Sequence, residues 1–197
     1  MTSRMMIGCW IAFMCSSITP ASADPYDIMV GCWKGKGDWY TLDGTYRGSV
    51  LSRGVTYWKK RPTLIYFRED AEPSSKEILQ DARLKAAVDA ITTYEYDLQV
   101  NGKALSGGCN NCNGTPANIY VTGTEAHPDA YHFILKFQNS GNDGSWFNNH
   151  YFKNHNERHV LGSFEPAGRA GEITYIGVQT LTRLSDNPKK CMGKPSQ

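Results

Sequence analysis

The chain has 197 residues, 40% of them hydrophobic and 20% charged, with 21 lysines and arginines against 19 aspartates and glutamates. That balance is globular. A net charge of +2 offers no basic face or stripe of the kind a dedicated nucleic-acid binder carries, so no nucleic-acid partner is expected.

Residues 1–23 read as a cleaved signal peptide. Arg4 supplies a positive start, and Ile7–Cys15 forms a mostly apolar run of nine residues. Thr19-Pro20 breaks that run, and Ala21-Ser22-Ala23 is a small-x-small site, so cleavage is expected after Ala23. A membrane-spanning helix needs roughly 20 apolar residues. The run is too short, no later segment qualifies, and the mature chain is expected to lack a transmembrane segment and to be periplasmic or secreted. Residues 24–197 then form a single domain.

Export decides how the cysteines read. Cys9 and Cys15 leave with the leader, and Cys32, Cys109, Cys112 and Cys191 remain. An even count in an oxidising compartment predicts two disulfides. Three pairings exist; Cys32–Cys191 with Cys109–Cys112 is preferred, since the first would tie the first strand to the C-terminal tail. Cys109-Asn-Asn-Cys112 lies among glycines and asparagines, which reads as a loop. A redox pair needs a helix start, and a four-cysteine zinc site needs a second close pair.

After a short lead from Asp24, the first segment of the mature chain is Gly31–Tyr40, in which Trp33, Gly35, Gly37 and Trp39 alternate with lysines and an aspartate. That is a period-two strand. Asp43-Gly44 is a hairpin signal. Strands are expected at Thr45–Leu51, Val55–Lys59 and Thr63–Glu69, separated at Gly54 and Arg61-Pro62. Lys59-Lys60-Arg61 reads as a solvated strand end or turn. Ser74-Ser-Lys-Glu77 is a capping box, and apolar spacing through Ile91 predicts a helix over Ser75–Ile91. Tyr94–Val100 alternates again and ends on the Asn101-Gly102 turn. Further strands are expected at Asn118–Thr122, Ala130–Gln138, Ser145–Lys153, Arg158–Phe164 and Ile173–Leu184, with Glu125–Asp129 among the separators. Eight to ten antiparallel strands joined by short turns predict a mainly β, up-and-down β-barrel with one helix near 75–91; a β-sandwich is the alternative.

Gly31-Cys32-Trp33 at the first strand, with Arg183 at the end of the last, resembles the lipocalins and the wider calycins. The resemblance implies a barrel that holds a small ligand; the leader makes it an exported protein, and the leader's style points to a bacterial source. The resemblance also implies that Trp33 and Arg183 are structural, the guanidinium stacking on the indole to close one barrel end.

The period-two pattern groups the candidate site residues. Tyr66 and Arg68 share a face with Leu64; Trp146, Asn148 and His150 share one with Phe152; Tyr175 and Gln179 share one with Leu181 and Arg183. With Trp39 these are the ligand-binding candidates. Facing inward, they would make an aromatic cavity with a few polar handles, suited to a small hydrophobic molecule. A barrel filled by its own side chains is the plainer alternative. Of the histidines, His132 should point outward and His155 sits in a turn, while His150 and His159 could lie close across a hairpin. Two histidines without a placed carboxylate make a poor zinc site, and no metal or cofactor is expected. No Gly-x-Ser-x-Gly, phosphate loop or His-Glu-x-x-His occurs, so no catalytic residue is assigned. Were the chain a calycin-type isomerase, cyclase or lyase, His150, Glu69 and Tyr66 would be its acid or base candidates. An envelope interaction or inhibitor module is the third reading.

Overall fold

The computed structural model describes residues 24–71, 91–112, 115–127, 132–139, 144–166, 169 and 172–191. The leader lies outside them, as does the expected helix up to residue 90; Ile91, its last residue, opens a strand.

Among the described residues ten strands run antiparallel and close on themselves. They are β1 (Gly31–Thr41), β2 (Tyr46–Lys60), β3 (Thr63–Ala71), β4 (Ile91–Asn101), β5 (Ala104–Cys112), β6 (Thr115–His127), β7 (His132–Asn139), β8 (Ser145–Asn154), β9 (Glu157–Glu165) and β10 (Tyr175–Ser185). Each strand pairs with its neighbours in sequence, and β1 also pairs with β10. That last ladder makes the molecule a barrel and sets the sandwich aside, because no sheet edge is left unpaired. It matches Trp33 with Arg183, Gly35 with Leu181 and Gly37 with Gln179.

Side chains alternate between interior and solvent along each strand. The β1–β2 register pairs Trp33 with Gly54 and Gly35 with Ser52, and these four line the interior. Gly54 therefore does not separate two strands. A residue without a side chain opposite a large indole lets one long strand pass, and β2 runs unbroken.

A second correction concerns Cys109-Asn-Asn-Cys112. It is not a loop but the end of β5. Residues three apart on a regular strand face opposite sides. Here Cys109 pairs with Tyr96 and Cys112 with Tyr94, so the cysteine strand carries one residue more than its partner. That bulge turns both cysteines to the same, buried face, where they form a disulfide. A third correction is that Glu125 belongs to β6, paired with Phe133.

One end of the barrel is plugged. Residues Pro25–Met29 form a short 3-10 helix whose start is capped by Asp24, the Tyr26 N–H donating to Oδ1 at 3.0 Å. Tyr26 and Met29 are fully buried. The Tyr26 ring stacks on Phe133 at 4.9 Å, and its hydroxyl donates to the Lys103 carbonyl at 2.8 Å. Above this plug lie Trp33, Phe152, Leu64 and Leu98, all buried. The second disulfide, Cys32–Cys191, ties the start of β1 to the turn after the 3-10 helix Pro188–Lys190.

Candidate functional site

All eight residues expected at the ligand site fall in the inward-facing set. The register places Trp39 opposite Gly177, Tyr66 opposite Tyr96 and Arg68 opposite Tyr94. Trp146 stands opposite Phe137, Asn148 opposite Leu135 and His150 opposite Phe133. Tyr175 and Gln179 face Phe164 and Val160.

They do not form one cluster. Toward the end opposite the plug, Trp39 and Trp146 meet edge to face at 4.9 Å, Trp146 lies 4.6 Å from Phe164, and Phe164 lies 6.3 Å from Tyr175. Trp146 is 36% exposed, so this aromatic group forms the rim. Below it a polar chain crosses the barrel. Gln179 Nε2 donates to Ser52 Oγ at 2.5 Å, Ser52 donates to Asp70 at 2.5 Å, and Arg68 Nε donates to the same carboxylate oxygen at 2.7 Å. Burial works against the Arg68 cation, but Asp70 and then the Tyr66 phenol outweigh it and hold its pKa above the usual guanidinium range. Ser52 and Asp70 are the members that sequence reasoning missed. Asp70 lies two residues beyond Arg68 on β3, in phase with it but past the expected strand end at Glu69, and Ser52 lies in the gap expected between Leu51 and Val55, where its pairing with Gly35 places it inside.

Between the rim and this chain lies a space bounded by Gly37, Trp39, Arg68, Asn148, Gly162 and Gln179, about 10 Å³ in volume. That is about the room one water needs. Trp39 lies flat against Gly162 and Gly177: a methyl group built on Gly177 would run into the indole ring. Gly177→Val is therefore expected to expel Trp39 and cost about 1–3 kcal/mol by overpacking, read as a lower urea midpoint together with a red shift of tryptophan emission.

Deeper, toward the plug, sit Tyr66, His150, Phe152, Arg158 and Trp33, all buried. Arg183 lies over the Trp33 ring at 4.1 Å, the stacking expected of it, and also donates to the carbonyls of Ile28, Val30 and His155. A second guanidinium, Arg158, lies 4.8 Å from the same ring. The sequence held no sign of it beyond its inward phase on β9. Burial pulls the Arg158 pKa down to about 10, with Arg68 and Arg183 adding to the effect.

The acid and base candidates separate. Tyr66 and His150 point inward. Glu69 points outward and is bound by Arg53 on the outer face. His150 and His159 do not come together: His150 is opposite Val160, and His159 is opposite Tyr151 on the other face, because a one-residue offset reverses a side chain. Among the described residues no group of histidine, cysteine and acidic side chains could hold a metal ion, and no helix is long and apolar enough to cross a membrane.

Burial, then the charges of Arg158 and Arg68, push the His150 pKa well below its ordinary value. A histidine that stays neutral in the fold adds no pH dependence above about pH 6.5, its unfolded pKa. Below that the unfolded chain takes up a proton that the fold refuses, and stability is lost as pH falls. Urea midpoints are expected to drop between about pH 6.5 and 4.5, and His150→Leu should flatten that slope. An equal slope in the variant would place the pH dependence elsewhere.

No family model matches the chain, and no curated protein matches it. Solved structures do. The S-type phycobiliprotein lyase CPES of Guillardia theta superposes with a TM-score of 0.55 at 9% identity, covering 80% of this chain and 89% of that one. Rv2717c of M. tuberculosis superposes with a TM-score of 0.53 at 12% identity, covering 79% and 92%. The fold is calycin-like. At such identities the likeness is one of fold alone, and the calycin-like barrel here carries its own set of interior residues.

Proposed function

We propose that the protein is an exported carrier of a small, largely apolar molecule that enters the barrel mouth at its aromatic end. The observation that carries this reading is the difference between the two ends. One is plugged by fully buried Tyr26 and Met29. The other presents partly exposed aromatic rings above the Arg68–Asp70–Ser52–Gln179 chain. Apolar walls with a few fixed polar groups suit small-molecule recognition. Two disulfides accord with export into an oxidising compartment.

A space of about 10 Å³ holds no such molecule until Trp39 and Trp146 swing toward solvent. Trp39 rests on Gly162 and Gly177, and Trp146, packed on Trp39 and Phe164, is already 36% exposed. Titration with Nile red, a neutral apolar dye, is expected to give a single saturable site with quenching of tryptophan emission. Gly162→Leu, which fills the floor beside Trp39, should abolish it. Non-saturable binding, or binding untouched by that substitution, would count against a site in the barrel.

A further inference from the structure

We infer that the facing glycines Gly162 and Gly177 are the floor of a slot for a flat, uncharged ring, that the Trp39 indole occupies this slot until a ligand displaces it, and that the Asn148 carboxamide reads the ring's polar edge. The inference rests on the carrier reading above and names the class of its ligand.

Register builds the floor. Gly162 on β9 pairs with Gly177 on β10, and Gly177 pairs with Trp39 on β1. Two neighbouring strands therefore present bare backbone to the interior at one level. Neither glycine has the positive φ that favours this residue at Gly44 or Gly102. What excludes a side chain is the ring above them. A methyl group on Gly177 would run into the six-membered ring of Trp39, and one on Gly162 would stand 3.1 Å from it. Glycine inside a strand commonly marks such a close approach. The indole packs here without being anchored. Trp33 and Trp58 donate through Nε1 to Met29 and Asp27. Among the described residues Trp39 Nε1 donates to nothing, and the residue is half-buried.

A polar wall stands at the side of this slot. Asn148 is 7% exposed, and its Oδ1 lies 2.8 Å from where a methyl group on Gly162 would be. Its carboxamide makes no hydrogen bond among the described residues. Buried polar groups in folded proteins are almost always satisfied, and Asn148 can both donate and accept. It borders the same space of about 10 Å³ as Arg68 and Gln179. Gln179 gives its nitrogen to Ser52 and keeps its carbonyl oxygen for a donor. Arg68 has its charge met by Asp70 at 2.7 Å, so the wall carries no net charge. An ionised head would enter as an unpaired buried charge, which is costly. The space takes about one polar atom. The ring therefore lies on the glycines in place of the indole, and only a small neutral substituent such as a carboxamide reaches the wall.

The test uses 2-naphthamide, whose fused rings match the indole in size, against 1-adamantanecarboxamide, which has the same head on a globular body, and 2-naphthoate, which has the same rings with a charge. Calorimetry on the mature native protein, beside the Nile red titration, is expected to show 2-naphthamide binding at least about tenfold tighter than either. Trp39→Ala should tighten 2-naphthamide at least about tenfold, because the slot no longer has to be vacated first. Asn148→Leu should weaken it about fivefold, the value of one neutral hydrogen bond, and leave naphthalene binding unchanged. The native-protein comparison decides the matter even if a variant does not fold. Nile red binding with no preference for 2-naphthamide over 1-adamantanecarboxamide overturns the slot and leaves the carrier reading standing. Equal or tighter binding of 2-naphthoate overturns the uncharged assignment. Unchanged or weaker binding in Trp39→Ala overturns displacement of the indole. Absence of binding by every probe overturns both the slot and the carrier reading.

Discussion

Replacing Cys32 and Cys191 together with serine is expected to lower the unfolding free energy by about 5 kcal/mol, the chain-entropy value for so long a loop. The pair closes a loop with a sequence separation of 159 residues, which is nearly the whole domain. In the oxidised unfolded chain its two ends cannot part; without the bond they can, and the unfolded state gains that freedom. The partner experiment is Cys109→Ser with Cys112→Ser. Its separation is only three residues, and the same relation gives a loss of about 1.5 kcal/mol. Urea unfolding of the two double variants measures the contrast. The long-loop variant should also show a steeper denaturant dependence, because its unfolded chain exposes more surface. Equal losses from the two pairs would mean that native-state contacts, and not loop closure, set the contribution of these bonds.

Trp33→Ala is expected to be the most damaging single substitution outside the cysteines. The indole is fully buried, and truncating a buried aromatic costs about 3–5 kcal/mol in transfer and cavity free energy. Here the loss spreads further. Trp33 Nε1 donates to the Met29 carbonyl at 3.0 Å, which holds the plug in place. Phe152 meets the ring edge to face at 5.7 Å, and the guanidiniums of Arg158 and Arg183 both lie against it. Removing the ring leaves two buried cations with less to interact with. A double-mutant cycle with Arg183→Met isolates the stacking contribution, expected at about 0.5–2 kcal/mol. Trp33→Phe should keep most of the packing and lose the hydrogen bond to Met29. If Trp33→Ala and Trp33→Phe unfold at the same urea concentration, the indole's packing is not what closes this end.

How far the sequence reaches can be judged strand by strand. Alternation in Trp33–Trp39, Tyr94–Val100 and Trp146–Phe152 was enough to say which side chains share a face, and every ligand candidate chosen that way does point inward. Alternation is a property of one strand, set by the pleat, so it survives without knowledge of partners. It fails where a partner changes the count. Gly54 looks like a break until Trp33 stands opposite it. Cys109 and Cys112 look like a loop until the pairing with Tyr96 and Tyr94 reveals an extra residue. His150 and His159 look like neighbours until register puts them on opposite faces.

Contacts between distant strands were outside the reach of pattern altogether. Ser52 reaches Gln179 across a separation of 127 residues, and nothing local in either segment announces it. Arg158 is one charged residue among many in the sequence, and only closure of the barrel removes its solvent. The short Pro25–Met29 helix reads as a lead-in and proves to be the plug, since its burial depends on Phe133 and Lys103 far along the chain.

What the sequence determined by itself is therefore the local period, and with it the class of fold and the inward set, while the stacking of Arg183 on Trp33 was implied by the resemblance of the two strand ends to the lipocalins. Those follow from backbone geometry and from motifs a few residues long. Tertiary structure alone decided that Pro25–Met29 seals one end, where the Arg68–Asp70–Ser52–Gln179 chain forms, and which buried polar groups lack partners. Each of these depends on volumes and distances summed over all ten strands, and a strand's own residues do not contain them.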